Sequence, residues 1–142
     1  MNAINSVLFT RAGWGITVLR IFIGIIFMAH GSQKLFGLFG GGGLAGTAQY
    51  MESLGLTPPT LMAALSGGAE FFGGLALVIG LLARPAALAL VGLLRVAIFS
   101  VHIGNGLFMA NNGYEFALAL LAGSIAVRIE GAGKLSADRA IA

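Results

Sequence analysis

Three charged side chains lie inside segments that are otherwise apolar enough to cross a membrane. They are Arg20, Glu70 and Arg95. A charge at the centre of a membrane helix costs about 2.5 to 3.5 kcal/mol on insertion scales, so such residues are kept where they are paired, hydrated or used. Their positions predict a polar site inside a helical bundle, and its chemistry must come from the ionisable residues around it.

One face of the first apolar segment is polar. At 100° per residue Arg20 and Lys34 fall on one stripe, and His30 lies at its margin. The stripe also holds three apolar or small residues, Gly24, Phe27 and Gly31. In a later segment Arg95 and His102 are seven residues apart and so share a face, about 10.5 Å apart along the helix axis.

Glu70 is the only carboxylate well inside an apolar segment, and it needs a cation. In the first interpretation it pairs with Arg20 or Arg95, and the pair only determines which helices are neighbours. In the second, the polar stripe faces a cavity that opens to the outer leaflet and binds the head group of a ligand. Proton transfer with quinone chemistry could use the same groups, because histidine titrates near neutral pH.

The sequence assigns no catalytic residue, but it does indicate a candidate ligand-binding set. His30 and His102 could bind a haem as two axial ligands, or they could join carboxylates in a metal site. The two histidines do not have the spacing of a known haem or metal motif, so we expect no haem and no metal. The candidate ligand-binding residues are Arg20, His30, Lys34, Glu70, Arg95, His102 and Glu115.

The composition defines the class of protein that must position these residues. Of 142 residues, 58% are hydrophobic and only 9% are charged, where a soluble domain has about 25% charged. We therefore expect one integral membrane domain over residues 1–142, in contact with the lipid bilayer. The net charge of +3 is too small and scattered for a nucleic-acid surface. The absence of cysteine excludes disulfides and dithiol relays, so a redox role needs a bound cofactor or a partner protein.

Four apolar segments predict the fold class, an all-α integral membrane four-helix bundle. They cover approximately 14–36, 60–82, 85–103 and 114–129, against about 20 residues needed to span the hydrocarbon core. In the first outer loop, the sequence predicts a short interfacial helix over 47–54, capped by Thr47 and ended by Gly55. Glycine-rich faces would also permit self-association into a homo-oligomer.

Basic residues are distributed unevenly about these segments. Lys34 alone lies at the end of the bundle away from the termini. The other end collects five basic residues, Arg11, Arg84, Arg128, Lys134 and Arg139. Because cytoplasmic loops carry an excess of Lys and Arg, both termini are predicted to be cytoplasmic.

Several short motifs resemble the bacterial DoxX family. They are Leu19-Arg20-Ile21, His30-Gly31, Gln33-Lys34-Leu35-Phe36-Gly37, Gly68-Ala69-Glu70-Phe71-Phe72-Gly73-Gly74, Val101-His102, Asn105-Gly106, Gly113-Tyr114-Glu115 and the tail from Gly131 to Asp138. Position by position, the family pattern points to Arg20, Gly31, Lys34, Glu70, Gly74, His102 and Glu115. Arg95 stands where the family has an apolar residue, and Ala132 where a proline is common.

The resemblance implies a small multi-pass protein of the bacterial inner membrane with a quinone-linked or redox-partner role. We accordingly expect the membrane subunit of a quinone-linked oxidoreductase, which binds a quinone or similar apolar ring compound near the outer leaflet and receives electrons from a redox partner protein. The alternative is a non-catalytic membrane scaffold or small-molecule carrier whose buried charges only specify helix packing.

Overall fold

The computed structural model describes residues 2–9 and 13–142, and in these ranges the chain is all-α, without strands. Arg11, which contributes to the charge asymmetry, lies outside the described residues. The described residues form seven α-helices, which are in chain order α1 Ala3–Leu8, α2 Trp14–Phe36, α3 Gly43–Ser53, α4 Pro59–Ile79, α5 Ala83–Ala97, α6 Glu115–Glu130 and α7 Ala137–Ile141. One turn of π-helix, Ile98–His102, extends α5, and three short 3₁₀ segments, Leu38–Gly40, Ile103–Asn105 and Met109–Asn111, lie in the loops.

The ends of the long helices follow from local residue chemistry. Helix α2 covers the predicted 14–36 and ends at Gly37, whose left-handed backbone (φ 70°) suits glycine. Helix α4 begins with Pro59 in its first turn and ends at Gly80 (φ 72°), so it is shorter at its end than the predicted 60–82. Helix α5 then begins at Ala83, two residues before the predicted start.

Among the described residues, three helices are long and apolar enough to cross a membrane, namely α2, α4 and the span Ala83–Asn105 that includes α5. The fourth predicted segment, 114–129, is helical as α6, one residue later at each end. With 16 residues, α6 is shorter than the roughly 20 that a membrane span needs.

The four longest helices pack side by side as a bundle. Helix α2 lies against α4 and α6, and α5 completes the arrangement by packing against α4 and α6. Phe27, Leu77, Leu90 and Val127, one from each helix, are fully buried at its centre. A Cβ on Gly24 would lie 2.8 Å from the Gly74 carbonyl oxygen, so the small residues of α2 and α4 allow the two backbones to approach closely.

The helix of the first long loop is longer than the sequence predicts. Helix α3 begins at Gly43, four residues before Thr47, so the prediction that Thr47 caps it was wrong. Thr47 is buried instead, and its hydroxyl donates to the backbone carbonyl of Lys34 at 3.2 Å, which ties α3 to the end of α2. Gly55 follows the helix in the left-handed conformation (φ 76°), as predicted.

Candidate functional site

A cavity of about 350 Å³ lies at one end of the bundle, between α3, α4 and the second half of α5. We name this the cavity end, and we name the opposite end, where α1 and α7 lie, the tail end. The walls of the cavity are mainly apolar, and its polar lining residues are Lys34, Tyr50, Ser66, Glu70, Ser100 and His102. Two wall residues, Leu65 (58% exposed) and Val96 (51% exposed), also lie on the outside of the bundle, so the cavity opens sideways.

An ion pair forms the polar part of the cavity wall. The ammonium of Lys34, near the end of α2, lies 2.7 Å from Glu70 Oε1 and donates a second bond to Ser66 Oγ at 2.8 Å. Glu70 is only 8% exposed. Its second carboxylate oxygen, Oε2, is buried and has no hydrogen-bond partner among the described residues. One carboxylate oxygen is therefore satisfied by the fold and the other is not.

The prediction that Glu70 pairs with Arg20 or Arg95 was wrong, and the register of α2 against α4 explains why. A Cβ on Gly31 would meet the backbone of Phe71, and one on Gly67 would meet the side chains of Lys34 and Leu35, so these residues lie at matching levels. At 1.5 Å rise per residue, Glu70 is therefore about 18 Å from the level of Arg20, but close to that of Lys34.

Arg20 is fully buried at the tail end, where it satisfies backbone carbonyls. Its guanidinium donates to Leu77 and Val78, whose carbonyls lie in the last turn of α4 and have no partner within the helix. It also donates to the carbonyls of Ala132 and Leu135 in the C-terminal tail, the first at 2.7 Å. Arg20 thus joins α2, α4 and the tail and does not belong to the cavity.

The tail is held by a second buried group, Asp138, which is 1% exposed. Its carboxylate accepts hydrogen bonds from the backbone N–H groups of Leu82 (2.6 Å) and Ala83 (2.9 Å), where α5 begins. The positive end of the helix dipole favours an anion at this position. Residues of the tail therefore close this end of the bundle, a role that the sequence did not reveal because nothing in it predicted that Asp138 is buried.

Arg95 is exposed on the outer side of α5, beside Phe99, which is 67% exposed. No partner for its guanidinium is found in residues 2–9 and 13–142. It lies near the middle of the candidate span Ala83–Asn105 and does not line the cavity. Of the charged residues in the predicted set, Arg95 is the one to which the described residues give neither a hydrogen bond nor an ion pair.

The two histidines lie in different surroundings. His102 lines the cavity, and its Nδ1 is 2.9 Å from the carbonyl oxygen of Asn112. His30 is exposed; its Nδ1 lies 2.9 Å from the Ile26 carbonyl oxygen, and its ring packs 5.8 Å from that of Phe116. His30 is not a lining residue of the cavity, so the structure does not bring it together with His102 at this site.

Glu115, the last of the predicted site residues, also lies outside the cavity. Its carboxylate accepts a hydrogen bond from the backbone N–H of Met109 at 3.1 Å and thereby orders the loop before α6. Among the described residues, no group of three histidine, aspartate and glutamate side chains is placed to hold a metal ion. Of the predicted set, Lys34, Glu70 and His102 therefore line the cavity.

Several cavity residues were not in the predicted set. Among them are Ser66 of α4 and Tyr50 and Met51 of α3, all of which line the cavity. The signal that could have identified Ser66 is its position one helical turn before Glu70, because residues four apart share a helix face. Together, the lining residues form an apolar slot that is open to the side, with an ion pair and an imidazole among its polar groups.

A bundle with three candidate spans among the described residues, and with an apolar slot in its side, defines a membrane protein that contains a cavity. The chain belongs to the DoxX family, whose model matches residues 15–103. This part includes α2, α3, α4 and α5, and hence most of the cavity wall.

Two curated relatives extend the similarity over most of the chain. The chain is 34% identical over 131 residues to "Inner membrane protein YqjF" of Escherichia coli, and the aligned part covers 88% of this chain and 90% of the relative. It is also 34% identical over 124 residues to "Putative oxidoreductase CatD" of Bacillus subtilis, covering 87% and 84%. No solved structure matches the chain with comparable significance.

Proposed function

We propose that this DoxX-family protein is the membrane subunit of a quinone-linked oxidoreductase system and binds a quinone or a similar apolar ring compound in its cavity. The observation that carries the proposal is Glu70 Oε2, a buried carboxylate oxygen without a partner at the wall of an apolar cavity. A buried polar atom left unpaired costs about 1 to 3 kcal/mol. A ligand that bonds to this oxygen would recover that cost.

The shape of the cavity supports a ligand that arrives through the bilayer. Its volume, about 350 Å³, falls in the range of small-molecule sites, and the exposed Leu65 and Val96 border its sideways opening. A ring compound with a hydrocarbon tail could enter there and leave its tail among the lipids. The name of CatD supports a redox role, and because this chain has no cysteine, we place the electron donor on a partner protein.

The topology belongs to the same proposal. We propose a single domain over residues 1–142 with four spans, α6 being the fourth, and both termini in the cytoplasm of a bacterial inner membrane. Arg84, Arg128, Lys134 and Arg139 support this orientation, because all four lie at the tail end while Lys34 lies near the cavity end. The name of YqjF supports the inner membrane, and the cavity would then open to the outer leaflet.

A binding experiment tests the proposal. The protein is reconstituted in nanodiscs, and the binding of a short-chain benzoquinone and of the corresponding benzohydroquinone is measured by equilibrium dialysis, so that binding of either compound counts as binding. Ala97→Phe, which fills the cavity, is expected to abolish binding without loss of helical content. Ala89→Phe is the matched control, because Ala89 is exposed on the same helix and does not line the cavity. No binding by the unaltered protein, or binding that Ala97→Phe leaves intact, would refute the proposed function.

A second candidate function rests on a specific observation as well. The bond from Lys34 to Glu70 joins α2 to α4, as expected of a scaffold or small-molecule carrier whose buried charges only specify packing. Extraction and mass analysis of the molecules that co-purify would discriminate between the two. A bound quinone favours the first function, and phospholipid alone favours the second.

Arg95 offers a charged contact on the surface of the bundle to a partner protein or to a second copy of the chain. We propose that the exposed face of α5 with Arg95 and Phe99 is where another membrane helix meets this bundle, because a charge at mid-span needs compensation. The chain has no cysteine, so Phe99→Cys provides a single crosslinking site. A disulfide-linked dimer would indicate a homo-oligomer through this face. No disulfide dimer formed under oxidising conditions would argue against it.

A further inference from the structure

Two lining residues of the cavity each carry a hydrogen-bond acceptor for which the described residues provide no donor. The first is Glu70 Oε2, which is buried and unpaired. The second is Nε2 of His102. Because the Asn112 carbonyl can only accept, the Nδ1 that lies 2.9 Å from it must carry the proton. In the neutral imidazole, Nε2 is then left with a lone pair, and no residue in the described ranges donates to it.

The helix register places these two acceptors at different depths. Gly73 packs against Leu90, since a Cβ on Gly73 would lie 3.3 Å from the Leu90 side chain, so Glu70 is level with Leu93. His102 is nine residues further along the chain, which corresponds to about 13 Å along the helix axis. Side chains lean toward the N-terminus of their own helix, and α4 and α5 run in opposite directions, so the two side chains lean toward each other.

The strongest donor at the site, the Lys34 ammonium, already has two acceptors in the fold. Lys34 donates one N–H to Glu70 Oε1 and a second to Ser66 Oγ. The buried atom of the cavity wall that is left without a partner among the described residues is an acceptor, Glu70 Oε2. A ligand whose oxygens carry hydrogens can donate both to Glu70 Oε2 and to His102 Nε2. A ligand whose oxygens carry only lone pairs would place like partial charges against Glu70 Oε2.

We infer that the cavity selects the diphenol form of its ring ligand, a hydroquinone, over the dicarbonyl form, a quinone. One phenolic O–H donates to Glu70 Oε2 and the opposite O–H donates to His102 Nε2. The inference rests on the proposed function, since it names the redox state in which the same cavity holds its ligand. It makes Glu70 and His102 the residues that determine which redox form is retained.

Three probes test the inference in nanodiscs under anaerobic conditions: a short-chain benzohydroquinone, the corresponding benzoquinone and the dimethyl ether of the hydroquinone. The ether has the same ring but no O–H. The hydroquinone is expected to bind at least about tenfold more tightly than either of the other two, because a hydrogen bond to a charged acceptor contributes about 1.5 kcal/mol or more.

Variants identify the atoms responsible. Glu70→Gln replaces a carboxylate oxygen by an amide that can donate, so the ratio of hydroquinone to quinone affinity should fall by about tenfold. His102→Phe keeps an aromatic ring but removes the acceptor, and it should weaken hydroquinone binding without changing the affinity for the dimethyl ether. His30→Phe is the matched control, because His30 is exposed and does not line the cavity.

The outcomes separate this inference from the proposed function. Equal affinities for hydroquinone and quinone in the unaltered protein would overturn the selection while leaving a ring-binding cavity in place. If none of the three probes binds, both proposals fall. If Glu70→Gln does not fold, the comparison of hydroquinone with its ether in the unaltered protein and in His102→Phe still decides the question.

Discussion

Removal of Lys34 should destabilise the protein more than neutralisation of Glu70 does, although both changes break the same ion pair. In Lys34→Met, the carboxylate of Glu70 remains in a site where its side chain is 10% exposed, and both of its oxygens then lack a partner. An uncompensated buried charge costs about 3 to 5 kcal/mol.

In Glu70→Gln, the ammonium of Lys34 keeps its bond to Ser66 and gains an amide oxygen as acceptor. Its side chain is 28% exposed and keeps two hydrogen-bond partners, so we expect a cost of only about 1 to 3 kcal/mol. The double variant Lys34→Met/Glu70→Gln contains no unpaired charge. It should therefore be more stable than Lys34→Met alone, although it carries one more substitution.

Unfolding by sodium dodecyl sulfate in mixed micelles, followed by far-UV circular dichroism, measures these differences. Lys134→Met is the matched control, because Lys134 is an exposed lysine of the tail and its loss should change the free energy of unfolding by less than about 0.5 kcal/mol. A double variant less stable than Lys34→Met would refute the reasoning, since the two residues would then contribute independently.

The same variants separate packing from ligand binding. If the pair only fixes the packing of α2 against α4, the double variant should recover both stability and any ligand that co-purifies. If Glu70 binds the ligand, stability should recover while ligand retention stays lost. Recovery of both would contradict a binding role for Glu70.

Three further predictions concern the helix contacts, the tail and the topology. Gly31→Ala should destabilise the bundle by about 1 to 3 kcal/mol, because the new methyl would collide with the backbone of Phe71, whereas Gly15→Ala, with nothing within 4 Å, should be tolerated; chemical denaturation compares the two. Asp138→Asn should cost about 1.5 to 3 kcal/mol and make the tail easier to cleave, while Arg139→Gln in the same helix should not; equal cleavage rates would contradict the closing role of Asp138. Reporter fusions at Ala142 should be active in the cytoplasm, and activity only in the periplasm would reverse the topology.

The sequence sufficed for the long helices because their signals are local. Each signal acts within one or two helical turns: a run of apolar residues, Gly37 after α2, and Pro59 at the start of α4. The structure places the ends of α2 and α4 within about three residues of the prediction. Four residues of the stripe that the sequence placed on one face of α2, Arg20, Gly24, Phe27 and Gly31, are buried. Periodicity identifies which residues share a face.

Periodicity does not show how far one helix is shifted along another. Arg20 and Lys34 share the stripe, and either could in principle have reached Glu70. Which of the two reaches Glu70 depends on the register of α2 along α4. That register is set by the contacts of Gly31 with Phe71 and of Gly67 with Leu35, which only the three-dimensional structure shows. Helix α3 was mispredicted for a related reason, because Thr47 bonds to the carbonyl of Lys34, a residue that is distant in the chain.

Arg20 and Glu70 show how this fold treats two buried charges differently. Arg20 donates to four backbone carbonyls, two at the end of α4 and two in the tail, so the fold itself accounts for its retention. Glu70 has one oxygen paired with Lys34 and one with no described partner, although Ser and Thr side chains that could have donated to it are common in membrane helices. A carboxylate kept only for packing would gain stability from a second donor. Under the proposed function, its unpaired oxygen in the wall of an apolar, sideways-opening cavity accepts a hydrogen bond from a donor that the ligand brings.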